Sequence, residues 1–143
     1  MKGDKSHYKE KYPAGTRPDP AIAEAVGKRL LETTISCADA EDIALKLHKT
    51  MPEVGAVIDL LEAQIKKCQL GIFGYQPRHK ILAPAKTIVP EIETAIRGRL
   101  IEGRLSCAAV WEIAAAFAQP RMNIAALCEA LGIKIRPCQL GAF

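Results

Sequence analysis

The sequence predicts a mainly α-helical protein that contains two tandem copies of one three-helix unit, each followed by a short strand. Three observations predict this architecture. The chain repeats itself at a spacing of 70 residues, so that residues 20–73 align with residues 90–143 without a gap and 19 of 54 pairs are identical. Apolar residues in each copy recur at helical spacing between residue types that start helices. Near the end of each copy the apolar residues instead alternate with polar ones, a period of two residues that is typical of a strand.

The repeat divides the chain into four segments. Residues 1–19 alternate charged, small and aromatic side chains without periodicity, which predicts a flexible N-terminal arm. The two repeats occupy residues 20–73 and 90–143, and the basic, proline-broken residues 74–89 connect them. A function assigned to this chain should therefore be read from the repeated unit.

The first helix of each repeat begins at a proline. Asp19 is a suitable N-cap and Pro20 suits the first helical position, with Ile22 and Val26 on one face. The pattern predicts a helix that runs to about Thr34. The second copy repeats it at Pro90, Ile92, Ile96 and Leu100.

The second and third helices follow with recognisable boundaries. Ser36 and Ser106 can each cap the second helix through the side-chain oxygen. Pro52 and Pro120 then interrupt the helical pattern, because proline is tolerated only in the first turn of a new helix. A turn of about three residues is therefore predicted between the second and third helices.

A short strand and a repeated turn end each copy. Gly132 can stop the third helix, and residues 133–136 alternate apolar and basic side chains as a half-buried strand does. Residues 65–68 occupy the same place in the first copy. The sequence Cys-Gln-Leu-Gly follows at 68–71 and again at 138–141, and we predict that each of these closing segments completes its own unit.

The spacing within the second and third helices favours close packing between them. A small residue in the second helix is followed ten positions later by a branched apolar residue. Two pairs show this spacing: Ala44 with Val54, and Ala114 with Ile124. In helix order, turn length and this spacing the sequence resembles the winged helix-turn-helix superfamily, present twice. The glycine usual in the turn is replaced by His48 or Ala118.

The resemblance implies DNA binding by a transcriptional regulator. The start of the third helix would lie in the major groove, and the strand or wing would contact the DNA backbone. In the second copy Gln119, Arg121 and Asn123 are placed to contact base edges, since these side chains can form paired hydrogen bonds with guanine or adenine. Lys134 and Arg136 are placed to contact phosphates. The second copy is therefore the expected main reader of double-stranded DNA. The alternative for Asn123 is a helix cap, and for Arg121 a solvated surface charge.

The first copy is poorly suited to approach phosphates. It carries Glu53 at the corresponding place and has a net charge of −2, against +1 for the second copy and +3 for the connector. We expect it to contact a protein partner or a second copy of the chain, while Arg78 and Lys80 of the connector offer a basic edge. A protein–protein interaction adaptor with the same fold is the rival interpretation.

Four cysteines occupy equivalent positions in the two copies, and they could serve a redox or metal sensor. Cys37 and Cys68, like Cys107 and Cys138, are 31 residues apart. Close pairs such as Cys-x-x-Cys, which are typical of zinc and iron–sulfur sites, are absent from the sequence. Three roles remain open for these cysteines, in this order of preference: small buried hydrophobic side chains, a thiol switch or Cys37–Cys68 pairing, and a metal site. No cofactor is expected.

Other classes of function find little support in the sequence. The net charge of +4 permits nucleic-acid binding without requiring it. The three histidines are scattered, and no nucleophile, base and orienting group recur together, so we expect no enzyme. No secretory signal or apolar run long enough to span a bilayer is visible, which predicts a cytoplasmic protein with no membrane contact.

Overall fold

The structure is a computed structural model that describes residues 11–76 and 79–143. In this part of the chain six helices and four short strands form two compact units. Unit 1 contains the residues up to Cys68 together with Leu140–Ala142, and unit 2 contains Gln69–Gln139 together with Phe143. The mainly α-helical fold class predicted from the sequence is confirmed.

Both units have the order helix, strand, helix, helix, strand. The elements of the first repeat are α1 (Pro20–Arg29), β1 (Thr34–Ser36), α2 (Cys37–Leu47), α3 (Met51–Leu60) and β2 (Gln64–Lys66). The elements of the second repeat are α4 (Pro90–Arg97), β3 (Arg104–Leu105), α5 (Cys107–Ala116), α6 (Arg121–Leu131) and β4 (Lys134–Ile135).

Most helix starts coincide with the caps predicted from the sequence. The Asp19 carboxylate accepts hydrogen bonds from the first backbone N–H groups of α1, and Ser36 and Ser106 cap α2 and α5 in the same way. Thr50 and Glu53 form a reciprocal capping box at α3. The two small-to-branched residue pairs that were predicted to pack the second helix on the third are buried: Ala44, Val54, Ala114 and Ile124.

The prediction that the first helix runs to about Thr34 is wrong. Helix α1 ends at Arg29, and Leu31 and Thr34 exchange backbone hydrogen bonds across a turn in which Glu32 has φ 60°. That turn leads directly into β1. The apolar periodicity of the helix continues past its end and therefore does not mark where the helix stops.

The strands after the third helices are present, but they do not form a wing hairpin. β2 pairs in parallel with β1, and β4 pairs in parallel with β3, so each strand returns to a strand that precedes the second helix. Within the described residues neither β2 nor β4 has an antiparallel partner. The wing implied by the resemblance is therefore not observed there.

The backbones of the two repeats agree even where their side chains differ. Four equivalent positions in the two repeats adopt the left-handed conformation, which favours glycine. They are Glu32 and Glu102, His48 and Ala118, Glu62 and Gly132, and Gly71 and Gly141. Since His48 and Ala118 lie between the second and third helices, the turn takes the conformation that glycine would favour although neither residue is glycine.

The leucines of the closing segments belong to the opposite unit from the one predicted. Leu140 lies in unit 1 and Leu70 in unit 2, and both are buried. A Cβ atom added at Gly55 of α3 would lie 2.3 Å from the carbonyl oxygen of Leu140. A Cβ atom at Gly71 would lie 3.2 Å from Sδ of Met122 in α6. The prediction that each closing segment completes its own unit is wrong, because these long-range contacts leave no local signal in the sequence.

Residues before each first helix contact the third helix of the same unit. In unit 1, Lys11 Nζ lies 2.8 Å from Oδ2 of Asp59, and the Tyr12 hydroxyl donates to the same oxygen at 2.9 Å. In unit 2, Lys80 Nζ lies 2.8 Å from Oε2 of Glu129, which is the repeat equivalent of Asp59. The end of the predicted flexible arm is thus held against unit 1, while residues 1–10 lie outside the described residues.

Candidate nucleic-acid interface

The start of α6 presents two amide side chains to solvent. Gln119 and Asn123 are both exposed, and Asn123 Nδ2 donates a hydrogen bond to Gln119 Oε1 at 3.2 Å. The break at Pro120 places one amide just before the helix and the other within its first turn. An amide carries both a donor and an acceptor, so this pair could contact the edge of a base.

Arg121 is held within unit 2. Its guanidinium carbon lies 3.6 Å from the centre of the Trp111 ring, a cation–π distance, and its Nη1 donates to Gln69 Oε1 at 3.0 Å. A base contact by Arg121 would therefore require the side chain to leave both partners. The sequence placed Arg121 at the start of the third helix correctly, but the partners come from α5 and from the other repeat's closing segment.

Three exposed cations lie along the parallel strand pair of unit 2, and we call them the basic ladder: Arg104, Lys134 and Arg136. Arg104 is the register partner of Lys134, and Arg136 follows β4 directly. All three are exposed, and none forms an ion pair within the described residues. The corresponding residues of unit 1 are Thr34, Gln64 and Lys66.

Sequence reasoning identified two members of the basic ladder and missed Arg104. Lys134 and Arg136 stand out through the alternation of apolar and basic residues. Arg104 lies in a two-residue strand that no periodicity reveals, and only the parallel register places it beside Lys134. The repeat alignment gives one indication that Arg104 differs from its counterpart, since the aligned residue in the first copy is the neutral Thr34.

The connector lies along α6 and uses one of the predicted basic residues. Lys80 pairs with Glu129 of α6, and Ala85 N–H donates to the carbonyl oxygen of Ala126 at 2.9 Å. Lys80 is therefore partly neutralised by an acidic residue of the helix. Arg78, the other basic residue predicted in the connector, lies outside the described residues.

In unit 1 the acidic residue at the start of the third helix has a structural role. Glu53 accepts from the Thr50 backbone N–H at 2.8 Å, and Thr50 Oγ1 accepts from the Glu53 N–H. The hydrogen bond from the Thr50 backbone lowers the pKa of the Glu53 carboxyl. Glu53 is thus held as an exposed carboxylate at this helix start, where unit 2 has the Asn123 amide.

The four repeated cysteines lie beside the strands of their units. Cys37 and Cys107 begin α2 and α5, and Cys37, Cys68 and Cys107 are buried. All five cysteines are thiols. The side-chain amide of Gln139 points its Nε2 at Cys107 Sγ, 3.7 Å away. In the part of the chain that the structure describes, no three Cys, His, Asp or Glu side chains converge on a position that could hold a metal ion.

The fifth cysteine belongs to the core of unit 2. Cys128 is fully buried in α6, and burial raises the pKa of its thiol to about 11. Such a thiol is a poor nucleophile at neutral pH. The repeat equivalent of Cys128 is the buried Ile58, so both units place an apolar side chain at this position of the core.

Among the described residues, no helix has both the length and the apolar character needed to cross a membrane. Comparisons of this chain with protein-family models, with curated proteins and with solved structures found no match.

Proposed function

We propose that this chain binds double-stranded DNA through unit 2 and acts as a transcriptional regulator. In this proposal the basic ladder contacts phosphates, and Gln119 and Asn123 contact base edges. Arg121 keeps its position on Trp111 and supports the start of α6. The protein is thus a binding protein whose specificity comes from amides and whose affinity comes from cations.

The basic ladder is the observation that carries the proposal. Arginine and lysine side chains without an acidic partner are the groups that neutralise DNA phosphates and release counterions. Register pairing brings Arg104 and Lys134 onto adjacent strands. Other exposed arginines of unit 2 differ, since Arg97 pairs with Glu93 at 2.9 Å and Arg99 with Glu112 at 2.6 Å.

The repeat itself supplies the test variant. Arg104→Thr with Lys134→Gln introduces the residues that unit 1 carries at the same backbone positions, so the fold should tolerate both changes. Binding of a fluorescent random-sequence duplex should weaken with salt with a log–log slope of about −2.7 for three phosphate contacts. In the double variant that slope should fall to about −0.9, because two contacts are removed.

A variant with the same loss of charge elsewhere provides the control. Lys28→Gln with Lys46→Gln removes two exposed lysines of unit 1 that pair with carboxylates on their own helices. This control should keep the wild-type slope. Equal slopes for the ladder variant and the wild type, or no binding by the wild type at low salt, would overturn the proposal.

A protein-interaction role for unit 1 is the second candidate, and exposed apolar residues favour it. Leu31 and Leu45 are each 66% exposed, and a protein partner could cover them. If unit 1 joins two copies of the chain, analytical ultracentrifugation should show a dimer that Leu45→Glu converts to a monomer. A wild-type monomer at all concentrations would count against self-association.

A further inference from the structure

Unit 2 contains an open cavity beside the start of α6, between this helix and the connector. Its volume is ≈ 220 Å³, and all of its lining residues belong to unit 2. An enclosed cavity of about 150 Å³ is large enough for benzene, so this space suits one ring with a polar substituent. The connector is fixed at this place by the hydrogen bond from Ala85 N–H to the carbonyl oxygen of Ala126.

Most of the residues that line the cavity are apolar, and none of them is charged. Ala85 and Val89 line it from the connector, Ile92 from α4, and Ile124 and Leu127 from α6. A wall of this composition would leave an ionic ligand without a counter-charge, since burying an unpaired charge is costly. The occupant should therefore be a neutral molecule with an apolar ring.

Thr87, Gln119 and Asn123 provide the polar groups of the same cavity, and the last two are hydrogen-bonded to each other. The hydrogen bond from Asn123 Nδ2 to Gln119 Oε1 uses one donor and one acceptor of the pair. Among the described residues it is their only side-chain hydrogen bond, so Gln119 Nε2 remains as a donor and Asn123 Oδ1 as an acceptor. A ligand edge with an adjacent acceptor and donor would complement these two atoms.

We propose that this cavity binds a small, neutral, planar molecule that carries a primary or cyclic amide, or the equivalent amino-imine edge of a nucleobase. The ring would pack against Ile92 and Leu127, and the amide edge would hydrogen-bond with Gln119 and Asn123. The site shares both amides with the proposed DNA contact, but ligand binding does not depend on DNA binding. The chemistry resembles that by which Asn and Gln contact adenine.

Nicotinamide is a suitable probe, and pyridine is its matched control because it has the same ring without the carboxamide. Two-dimensional amide NMR of the full chain, without DNA, should show saturable shifts at Ala85, Ala126 and Asn123 with nicotinamide. A ligand of this size should bind with a dissociation constant of about 0.1–1 mM. Pyridine should bind at least about tenfold more weakly, because it lacks the carboxamide and therefore has no donor for Asn123 Oδ1.

The Asn123→Leu variant tests the hydrogen-bonding edge. Asn123 is exposed, so the change should preserve the fold, and an unchanged melting temperature would verify this. Nicotinamide should bind about tenfold more weakly to this variant, whereas pyridine binding should not weaken. Gln76→Ala serves as the control, because Gln76 is an exposed connector amide that does not line the cavity.

Three outcomes would overturn the inference: no saturable shift with nicotinamide up to about 10 mM, equal affinity for nicotinamide and pyridine, or no effect of Asn123→Leu. All three are measured without DNA. A failure of the ligand site is therefore distinguishable from a failure of the proposed DNA-binding function.

Discussion

The two units of this protein share a backbone and differ in chemistry. An ion pair to the second helix is repeated: Arg29 at the end of α1 contacts Asp42, and Arg99, which follows α4, contacts Glu112. In both units a lysine that precedes the first helix forms an ion pair with an acidic residue of the third helix: Lys11 with Asp59, and Lys80 with Glu129. Asp59 is buried and Glu129 is not. These ion pairs are thus repeated in the two units, although many other surface residues differ.

Under the proposed function, the positions that would contact DNA are among those that differ between the units. The strand pair carries Thr34 and Gln64 in unit 1 but Arg104 and Lys134 in unit 2. Because the order of the elements and most of the turns agree, each unit serves as a natural control for the other. A substitution that exchanges the two residue sets tests surface chemistry with little effect on the fold.

The largest difference between the units should appear at Gly55, whose repeat equivalent is Ala125. Gly55→Ala places a Cβ atom 2.3 Å from the Leu140 carbonyl oxygen, and backbone cannot yield as a flexible side chain can. We expect the free energy of unfolding to fall by about 2–3 kcal/mol. Urea unfolding followed by circular dichroism would measure the loss, and hydrogen exchange should localise it to α3.

Gly27→Ala is the matched control for Gly55→Ala. Gly27 lies in α1, and a Cβ atom there would have no neighbour within 4 Å. This variant should become more stable by about 0.5–1 kcal/mol, because alanine is the better helix former. If both variants gained stability, Leu140 would not dock on α3 as described.

The helices could be predicted from the sequence because their signals are local. Asp19, Ser36 and Ser106 cap helices next to themselves, and Gly132 ends α6 with φ 72°. The strands β1 and β3 could not be predicted, because two or three residues are too few to show a period. The exchange of closing segments depends on contacts between residues far apart in sequence.

For the candidate site as well, local features could be predicted from the sequence and long-range contacts could not. The amide of Asn123 and the cations Lys134 and Arg136 are local features of one helix start and one strand. The partners of Arg121 are not local, since Trp111 lies in α5 and Gln69 follows the first repeat. The cavity depends on the path of the connector, and the basic, proline-broken composition of the connector does not predict that path.

The second prediction compares the two acids of the third helices. Asp59→Ala leaves Lys11 and the Tyr12 hydroxyl without their shared acceptor and should cost about 1–3 kcal/mol. Glu129→Ala removes a surface pair in which the Lys80 side chain is 48% exposed, and it should cost less than about 1 kcal/mol. Thermal unfolding of both variants measures the contrast. Equal losses would show that the burial of Asp59 has no energetic consequence.

The third prediction concerns how the stability of unit 1 depends on pH. Burial, together with the hydrogen bond to Asp59, raises the pKa of Tyr12 from 10.0 to about 12. The folded state therefore favours the neutral phenol. Its contribution to stability is present below pH 10 and is lost as the pH rises towards 12. Tyr12→Phe should reduce the loss of stability in this range, as urea midpoints at several pH values would show.

Unit 2 provides the comparison for the tyrosine titration. The connector residues that follow Lys80 are Ile81 and Leu82, neither of which ionises. Hydrogen exchange across the alkaline range should therefore show α3 opening at lower pH than α6. The same onset in both helices, or an unchanged pH profile in Tyr12→Phe, would assign the alkaline loss to other groups.

The smallest predicted effect tests how closely the two turns agree. Ala118 has φ 53° and His48 has φ 56°, a conformation that costs a residue with a side chain about 1–2 kcal/mol. Glycine relieves this strain but loses more backbone entropy on folding, so Ala118→Gly and His48→Gly should each gain about 0.5–1 kcal/mol. Gly132→Ala, at φ 72°, is the reverse control and should lose about 1 kcal/mol. Urea midpoints of the three variants measure these changes. A gain in one turn and a loss in the other would mean that the shared backbone is held differently by the side chains of the two units.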